Sequence, residues 1–342
     1  MAPFREIVGH EQALRVLQGA LAARRMHHSL LFFGPDAIGK RRVATALAAA
    51  LNCAAPREAD ACGECASCRR IDKGSHPDVT LVTLEKTMIP IDAIRRVRQE
   101  ASYFPYEGQR RVFIVDPADR MSIDAQNALL KTLEEPPASS MLILVTSRPM
   151  HLLPTTRSRC QQIAFGILPA ETIAPHLARL RGLTAQDALR AARLSGGRFG
   201  AAMELDLAAH DESLAALLGA LGHLVKNRAR EAALDDVAAF GDDTVEIASS
   251  LAMLDGIVRD MLVLEAGGDA ALLIHADRAD QLRTLAAALA PEGAGGEALL
   301  AMADRIETAR EDLERNVNRK LLLETLLFDL HAPGASAPSA RS

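Results

Sequence analysis

The stretch LLFFGPDAIGKRRVATALAAAL, residues 30–51, constrains the fold more than any other part of the sequence. It joins a short apolar run, Leu30–Phe33, to a glycine-containing turn and then to an Ala/Leu-rich helical pattern. An apolar strand that leads directly into a helix is the repeating unit of a parallel sheet covered by helices. The turn also has the spacing G-x-x-x-x-G-K, in which Gly34, Gly39 and Lys40 could wrap and neutralise a phosphate.

The residue after Lys40 departs from the phosphate-loop pattern. Working loops place a Ser or Thr hydroxyl there to hold Mg²⁺, whereas this chain has Arg41. A guanidinium carries only hydrogen-bond donors and cannot coordinate a cation. The sequence therefore predicts a loop that keeps the geometry of a phosphate site and lacks its magnesium ligand. A strand–turn–helix connection that matches the spacing by chance is the alternative.

Further apolar runs predict more strands, and helical patterns separate them. Most of these runs lack a polar–apolar alternation, which is typical of parallel strands covered on both faces. With the first strand included, the five predicted strands are Ser29–Phe33, Val79–Leu84, Val112–Asp116, Met141–Thr146 and Gln161–Phe165. The pattern favours an α/β domain built on a five-stranded parallel sheet.

The sequence changes character after Pro169, where strand signals mostly vanish. From about residue 211 the chain has helical patterns throughout, interrupted by Gly267-Gly268 and by PEGAGG at 291–296. Aromatic residues make up 3% of the chain and Trp is absent, so the cores must be aliphatic. We expect an α/β domain at 1–166, a small helical domain at 167–208, an all-α domain at 209–331 and a flexible tail at 332–342.

Charge and hydropathy exclude some classes of protein. The net charge of −5 means that any binding of nucleic acid must rest on a local basic patch and not on the whole chain. No apolar run approaches the ~18 residues that a membrane-spanning helix needs. The opening MAPFREIVGH also lacks the apolar core of a signal peptide. We therefore expect a cytoplasmic protein without membrane partners.

A second segment bears on the same phosphate site. RVFIVDPADRM, residues 111–121, is an apolar run that reaches Asp116, where nucleotide-hydrolysing enzymes of this layout place an acid that helps to hold Mg²⁺. Such enzymes usually carry a Glu at the next position to activate water, and this chain has Pro117. Asp119 follows in a predicted turn, where we do not expect it to reach the attacking water as a general base must. With both the magnesium ligand and the Glu missing, we expect no hydrolysis and at most weak nucleotide binding.

Four of the five cysteines form a cluster in the sequence. Their spacing is Cys53-x8-Cys62-x2-Cys65-x2-Cys68, and four thiolates can close a tetrahedral Zn²⁺ shell that has no open position. In a reducing compartment such a cluster favours metal over disulfides, so we expect a structural zinc module at 53–68. The alternatives are unligated thiols and an iron–sulfur cluster, whose fourth cysteine usually lies downstream of the closely spaced three. The fifth cysteine, Cys160, is expected to be a buried apolar residue.

A longer motif links the chain to a known family. The run NALLKTLEEPP, residues 127–137, followed by Ser158-Arg159-Cys160, strongly resembles the AAA+ clamp-loader subunits of bacterial DNA polymerase III. The opening IVGHEQALRVLQGALAARRMHHSLLFFGP and the far end NVNRKLLLETLLFDL look like the same family, so the resemblance spans nearly the whole chain. It implies an AAA+ domain, a small helical lid and a helical collar that joins subunits. The residues themselves predict a helix over 121–135 with Ser122 as its N-cap.

The family contains subunits that hydrolyse ATP, called gamma/tau, and a subunit that does not. Arg41 and Pro117 depart from the hydrolysing pattern, and tau-type chains are much longer than these 342 residues. The resemblance therefore implies a non-hydrolysing accessory subunit of the polymerase holoenzyme, which braces the subunit ring while a sliding clamp is loaded. An active gamma/tau-type ATPase is the nearest alternative. A small-molecule P-loop kinase is a more distant one, because it leaves the cysteine cluster and the long helical end unexplained.

The resemblance also assigns roles to individual residues. Arg159 would project across a subunit boundary to the ATP of a neighbour as an arginine finger, with an exposed structural arginine as the alternative. Thr146 would face the γ-phosphate as a sensor, although a plain strand-end threonine fits equally well. Arg198 stands one position early for a second sensor, which favours a lost sensor over a nucleotide contact. The degenerate nucleotide site would comprise Gly34, Gly39, Lys40, Asp116 and Thr146.

The family further implies partners. They are gamma/tau and delta clamp-loader subunits, primer–template DNA within the complex and, indirectly, the sliding clamp. Candidate DNA contacts are Arg95, Arg96 and Arg98 on a helix predicted at 90–101, with Arg110 and Arg111 nearby. A solvated helix face is the favoured interpretation of these arginines. The apolar run LLLETLLFDL would belong to the collar or only to the core of its own bundle.

Overall fold

The structure, a computed structural model, divides into two compact units, Met1–Glu204 and Leu205–Ser342. Each unit contains its own hydrophobic core. The described residues are 3–226, 236–269, 272–289, 295–315 and 317–331. The predicted tail at 332–342 and most of the predicted turn at 291–296 lie outside them. The finer division of the chain at residues 166 and 208 stays a prediction.

A five-stranded parallel sheet forms the centre of the first unit. Its strands are β1 Ser29–Phe33, β2 Val79–Val82, β3 Arg111–Val115, β4 Ser140–Thr146 and β5 Gln161–Ala164. They lie in the order β2-β3-β4-β1-β5, and every neighbouring pair is parallel. The three inner strands are buried over most of their length, whereas the edge strands β2 and β5 are largely accessible. The predicted α/β class and its five-stranded parallel sheet are confirmed.

Alternate residues of the inner strands pack in two separate cores, one on each face of the sheet, because successive side chains in a strand point to opposite faces. Leu30 and Phe32 of β1 pack in the core that also contains the buried side chains of the helices α1 and α2. Leu31 packs in the core that contains those of α4 and α5. The helices of this part are α1 Glu11–Ala22, α2 Lys40–Asn52, α3 Ala66–Asp72, α4 Ile91–Ala101, α5 Ile123–Glu134 and α6 Pro154–Arg157.

Local sequence signals fix several helix ends. Ser122 caps α5 by accepting a hydrogen bond from the backbone N–H of Ala125, as predicted. Cys53 follows the last residue of α2 in an extended conformation, so the cysteine cluster begins where the helix ends. Three further helices complete the first unit: α7 Ala170–Arg181, α8 Ala185–Leu194 and α9 Phe199–Glu204.

The described residues of the second unit form helices joined by turns and include no strand. Its helices are α10 Leu207–Lys226, α11 Thr244–Glu265, α12 Ala279–Leu289, α13 Gly295–Glu314 and α14 Arg319–His331. A capping box starts α11, in which Asp243 accepts from the N–H of Glu246 and the Glu246 side chain reaches back to Asp243. Leucines dominate the core of this unit. The helix α14 contributes Leu322, Leu323, Leu326, Leu327 and Leu330. The apolar run near the end of the chain thus packs in the core of its own bundle.

Candidate functional site

The glycine loop after β1 has the backbone that its sequence predicts. Gly34 has φ +145°, and a Cβ there would lie 2.1 Å from the carbonyl oxygen of Phe165. Gly39 has φ +104° and precedes the first residue of α2. Both positions therefore require glycine. Gly34 needs it because two backbone segments approach closely there, and both residues need it for their backbone conformation. The N-terminus of α2 points its free N–H groups into this loop, as in phosphate sites.

Lys40 is folded back onto the loop that it follows. Its Nζ donates to the carbonyl oxygens of Gly34 at 2.7 Å and Pro35 at 2.6 Å, and the residue is 6% exposed. Burial lowers the pKa of the Lys40 ammonium, although the carboxylates of Asp36, Asp116 and Asp119 oppose that effect. The lysine thus satisfies its donors within the loop, and a phosphate would have to displace those carbonyl contacts.

Arg41 forms an ion pair with Asp116, the acid at the end of β3. The Nε of Arg41 donates to Oδ2 of Asp116, whose side chain is 14% exposed against 53% for the arginine. The two residues stand where a working site has its two protein contacts to magnesium. A fixed guanidinium charge therefore faces Asp116 where a Mg²⁺ ion would carry the positive charge. The sequence predicted the loss of the magnesium ligand and missed this pairing.

Thr146, the predicted sensor, is 1% exposed and already has partners. Its Oγ1 donates to Oδ1 of Asp119 at 2.5 Å and accepts from the N–H of Arg148 at 2.9 Å. Asp119 lies in a short 3₁₀ turn, Ala118–Arg120, directly after Pro117. The carboxylate of Asp119 is thus hydrogen-bonded to the residue predicted as a sensor, and its role with water stays a prediction.

A cavity of about 890 Å³ opens beside the loop within the first unit. Its lining includes Asp36, Gly39, Lys40, Arg41, Asp116 and Phe199. The helix α9 closes one side, because the N–H of Gly200 donates to the carbonyl oxygen of Ala37 at 2.6 Å. Sequence reasoning did not anticipate this contact, since nothing in a hexapeptide such as FGAAME specifies what its backbone meets. The structure therefore brings Gly39, Lys40 and Asp116 of the predicted site together around one cavity.

Arg198 and Arg159 are held by hydrogen bonds close to their own positions. The Nε of Arg198 donates to the carbonyl oxygen of Ser195 at 2.9 Å, and the residue does not line the described cavity. The guanidinium of Arg159 contacts Oε1 of Glu134 at 2.7 Å and the carbonyl oxygen of Thr155 at 2.9 Å. The Arg159 side chain remains 35% exposed. It is thus accessible and paired with a single described acid.

The four clustered cysteines converge in space. All four Sγ atoms lie within 4.8 Å of one another, with 4.0 Å between Cys53 and Cys65 and 4.0 Å between Cys62 and Cys68. Four thiolates at a Zn–S distance of about 2.3 Å in a tetrahedron are about 3.8 Å apart. Backbone N–H groups also point at three of the sulfurs, as expected where thiolate charge must be stabilised. These residues could hold a metal ion.

The thiols outside and inside the cluster differ in their acidity. Burial raises the pKa of Cys160 to about 12, which suits the inert buried side chain that the sequence predicted. Although burial raises the pKa of Cys65, hydrogen bonds from the N–H groups of Cys68 and Ala54 lower it overall, to about 6. Backbone hydrogen bonds likewise lower the pKa of Cys62, whereas burial raises the pKa values of Cys53 and Cys68.

The arginines of α4 lie on a solvated helix face. Arg95, Arg96 and Arg98 are exposed, and Arg95 pairs with Asp92 at 3.0 Å. Arg111 instead turns inward, where it contacts Asp78 at 3.7 Å and the carbonyl oxygen of Glu100 at 2.9 Å. The favoured interpretation of a solvated face thus agrees with the geometry of the helix. No helix among the described residues is long and apolar enough to cross a membrane.

The known proteins that this chain resembles include subunits of DNA polymerase III. The family model described as DNA polymerase III, delta subunit, matches residues 9–168, and the model described as its C terminal matches residues 213–332. A gamma/tau subunit of DNA polymerase III from Mycobacterium bovis is 31% identical over 366 aligned positions. That alignment covers 98% of this chain and 62% of the relative, so the chain spans less than two thirds of its length.

Two delta prime subunits of DNA polymerase III are also similar. The one from Bacillus subtilis is 29% identical over 328 positions, 93% of this chain and 95% of the relative. The one from Pseudomonas aeruginosa is 39% identical over 168 positions, 48% of this chain and 51% of the relative. The parallel α/β fold and the altered phosphate loop define a chain of the phosphate-loop class in which an ion pair stands in place of the magnesium contacts. The chain belongs to the DNA polymerase III delta subunit family, and to its delta prime type.

Proposed function

We propose that this chain is the non-hydrolysing delta prime subunit of a bacterial DNA polymerase III clamp loader, an accessory protein of DNA replication. The observation that carries the proposal is the ion pair of Arg41 with Asp116, which sets a fixed cation where hydrolysis requires Mg²⁺. Pro117 supports it, since no carboxylate follows Asp116 to activate water. The match to a delta prime relative over nearly its whole length supports the subunit type.

The partners of the chain would be gamma/tau and delta subunits of the same complex. The similarity to both delta prime and gamma/tau subunits of DNA polymerase III supports this. Primer–template DNA would lie within the complex, near exposed arginines such as Arg96 and Arg98. The sliding clamp would be engaged indirectly, through the assembled ring.

Arg159 would serve the ATP of a neighbouring subunit. Its guanidinium is accessible and is held by Glu134, from which it could be released by the stronger charge of a triphosphate. An arginine finger stabilises charge on the transferring phosphoryl group and is worth about 10³–10⁵ in rate at the site that it serves. The chain would thus contribute to hydrolysis without carrying it out.

The metal in the four-cysteine cluster would be Zn²⁺. Four sulfur donors at near-tetrahedral spacing fit zinc, and a shell closed by protein leaves no position for a substrate. The ion would therefore be structural. When bound, it would supply folding energy to the module at 53–68, whose ligands lie within one short stretch of chain.

Reconstitution with gamma/tau and delta subunits tests the proposal. Arg159→Ala should lower the DNA-stimulated ATP turnover of the assembled complex, while assembly itself is unchanged by size-exclusion chromatography. Arg157→Ala, two residues earlier, is the matched control and should leave turnover at the wild-type level. Equal turnover by the Arg159→Ala and Arg157→Ala complexes would remove Arg159 from hydrolysis. Failure of the chain to join the complex would remove the subunit assignment.

A further inference from the structure

Both tyrosines of the chain lie exposed in one loop after α4. Tyr103, Phe104 and Tyr106 are 54%, 88% and 84% exposed, in a chain with two Tyr and no Trp. We refer to residues 102–110 as the aromatic loop. Large aromatic side chains are normally at least half buried, so a loop that exposes three of them must be held in place by its backbone. The function proposed above assigns nothing to this loop.

Five successive backbone N–H groups anchor the aromatic loop to two side chains. The carboxylate of Asp78 accepts from the N–H groups of residues 106–108, at 2.6, 2.9 and 2.8 Å. The Oδ1 atom of Asn52 accepts from those of residues 109 and 110, at 2.8 and 2.9 Å. Hydrogen bonds to a carboxylate are stronger than those between neutral groups. The carboxylate of Asp78 is also buried. The position of the loop therefore depends on where Asp78 and Asn52 are held.

The contact with Asn52 is close enough to require glycine in the loop. A Cβ added to Gly108 would lie 2.4 Å from Oδ1 of Asn52 and 3.2 Å from Oδ2 of Asp78. Asn52 is the last residue of α2, is 4% exposed, and is followed directly by the first ligand of the cluster, Cys53. One end of the aromatic loop is thus hydrogen-bonded to Asn52, the residue directly before the metal module.

The helix α3 of the same module reaches the loop by a second route. Arg70 pairs with Oε1 of Glu107 at 2.6 Å, and the hydroxyl of Ser67 donates to the backbone oxygen of Asn52 at 2.8 Å. The buried ring of His76 contacts the hydroxyl of Ser67 at 3.0 Å and the carboxylate of Glu107 at 3.4 Å. Ser67 lies between the ligands Cys65 and Cys68. Asn52 and Ser67 thus adjoin or lie between the ligands, and Arg70 follows Cys68 by two residues on the same helix.

We propose that a metal ion bound by the four cysteines fixes the position of the aromatic loop. A metal would join Cys53, at the end of α2, to Cys65 and Cys68 on α3. This holds Asn52 and Arg70, two of the residues that contact the loop, at one distance from each other, while Asp78 holds the loop from outside the module. Without the metal, the described links between the two helices here are the hydroxyl of Ser67 and the apolar packing of Ala49 and Cys53 with Ile71. The module thus has a role beyond its own folding: it determines where the exposed aromatic side chains stand.

The two tyrosines provide a direct readout, because tyrosine emission of the whole chain comes from this loop alone. The full chain is compared with Zn²⁺ bound and after chelation, by the fluorescence anisotropy of Tyr103 and Tyr106 and by hydrogen exchange of the N–H groups at 106–110. Chelation should lower the anisotropy and should speed exchange at 106–110 by more than about tenfold, since local opening then frees these groups. The N–H groups of β4 serve as the internal reference and should keep their protection.

Two neighbouring arginines of α3 supply matched variants in the zinc-loaded chain. Arg70→Ala removes the link to Glu107 and should speed exchange at 106–110 by about two- to fivefold, as expected for a partly exposed ion pair. Arg69→Ala changes the same charge on the same helix, at an exposed side chain without a described partner, and should leave exchange unchanged. If chelation also speeds exchange in β4, these two variants still test whether the module holds the aromatic loop.

Two results would overturn the proposal. The first is unchanged protection and anisotropy in the aromatic loop once a thiol titration has shown the cysteines to be free of metal. The second is an Arg69→Ala variant that exchanges as fast at 106–110 as Arg70→Ala does. Neither result touches the subunit assignment, which rests on the phosphate loop and on reconstitution.

Discussion

At the scale of single residues, one substitution changes what a phosphate loop can do. A Ser or Thr after Lys40 would present a neutral oxygen to a cation, and Arg41 presents a cation instead. The guanidinium finds Asp116, which a magnesium ion would otherwise approach. The ion pair therefore removes the ligand and also neutralises the acid that remains. We propose that this site has lost hydrolysis because of both changes together.

Arg41→Thr should open the site to magnesium nucleotide. The variant restores the hydroxyl and frees Asp116, so we expect the affinity for Mg²⁺-nucleotide in the cavity to rise by at least about tenfold, measured by titration of a fluorescent analogue. The free energy of unfolding should change by less than about 1 kcal/mol, because the pair is partly solvated. Arg42, the next residue of α2, lines the same cavity without a described contact to Asp116, and Arg42→Thr is the control, which should not gain this affinity. Equal affinities of the two variants would show that Arg41 does not occupy the magnesium position.

A buried carboxylate in the second unit makes stability depend on pH. Burial would raise the pKa of Asp260, but hydrogen bonds from the His275 ring and from the N–H groups of Ile274 and His275 hold it below its ordinary value. A depressed carboxyl pKa stabilises the fold above the unfolded-state pKa of about 3.9, and that stability is lost as pH falls from there through the folded-state pKa.

Acid unfolding of the second unit should therefore steepen below pH ~4 in the wild type and less so in Asp260→Asn. At neutral pH the variant should lose about 2–3 kcal/mol of unfolding free energy, because its amide replaces a charged acceptor and turns an N–H₂ group toward donors. Denaturant titration at several pH values, followed by circular dichroism, measures both. Parallel pH profiles for the two proteins would exclude Asp260 as the source.

Some of these residue-level features could be predicted from the sequence. The missing magnesium ligand, the Pro after Asp116 and the four cysteines could be recognised because each is defined by spacing along the chain. The pairing of Arg41 with Asp116 could not, since the two residues are 75 positions apart and meet only when β3 lies near the start of α2. The contact of Asp119 with Thr146 was missed for the same reason.

At the scale of elements, a backbone hydrogen bond joins the helix α9 to the phosphate loop. The N–H of Gly200 donates to the carbonyl oxygen of Ala37, and no side chain could fit between them. A nucleotide in the cavity would lie against this helix, because Phe199 and Met203 also line it. The closeness of α9 to the loop thus sets the size of the cavity.

Gly200→Ala should push α9 away from the loop. The added Cβ would lie 2.6 Å from the carbonyl oxygen of Ala37, so we expect a loss of about 1–3 kcal/mol in the free energy of unfolding of the first unit. Gly19→Ala, in the exposed middle of α1 with nothing within 4 Å of its added Cβ, should instead gain about 0.5–1 kcal/mol. Thermal or denaturant unfolding of both variants measures the difference. A gain of stability in Gly200→Ala would contradict the close approach.

The elements themselves were largely readable from the sequence. The inner strands β1, β3 and β4 appeared where continuous apolar runs predicted them, because burial on both faces leaves no polar alternation. The second strand ends at Val82, two residues before the predicted Leu84, since β2 is an edge strand and pairs only with β3. Strand order and the partners of each helix face required the structure, because periodicity says which residues are buried but not against what.

At the scale of the whole molecule, an α/β unit and a helical unit share the chemistry unequally. The first unit carries the altered phosphate loop, the cysteine cluster and Arg159. The second unit carries a leucine-rich bundle, for which we propose a collar role on the basis of the family resemblance. Such a division suits a protein that contributes position and charge to a larger complex, because neither unit needs to turn over a substrate by itself.

The most direct measurement is ATP turnover by the purified chain alone, in the presence of Mg²⁺ and without partner subunits. We predict no hydrolysis above the level of a Lys40→Ala variant, because Arg41 occupies the cation position beside Asp116 and Pro117 supplies no base. Magnesium-dependent turnover by the wild-type chain that disappears in Lys40→Ala would contradict a non-hydrolysing subunit and would favour an active gamma/tau-type ATPase.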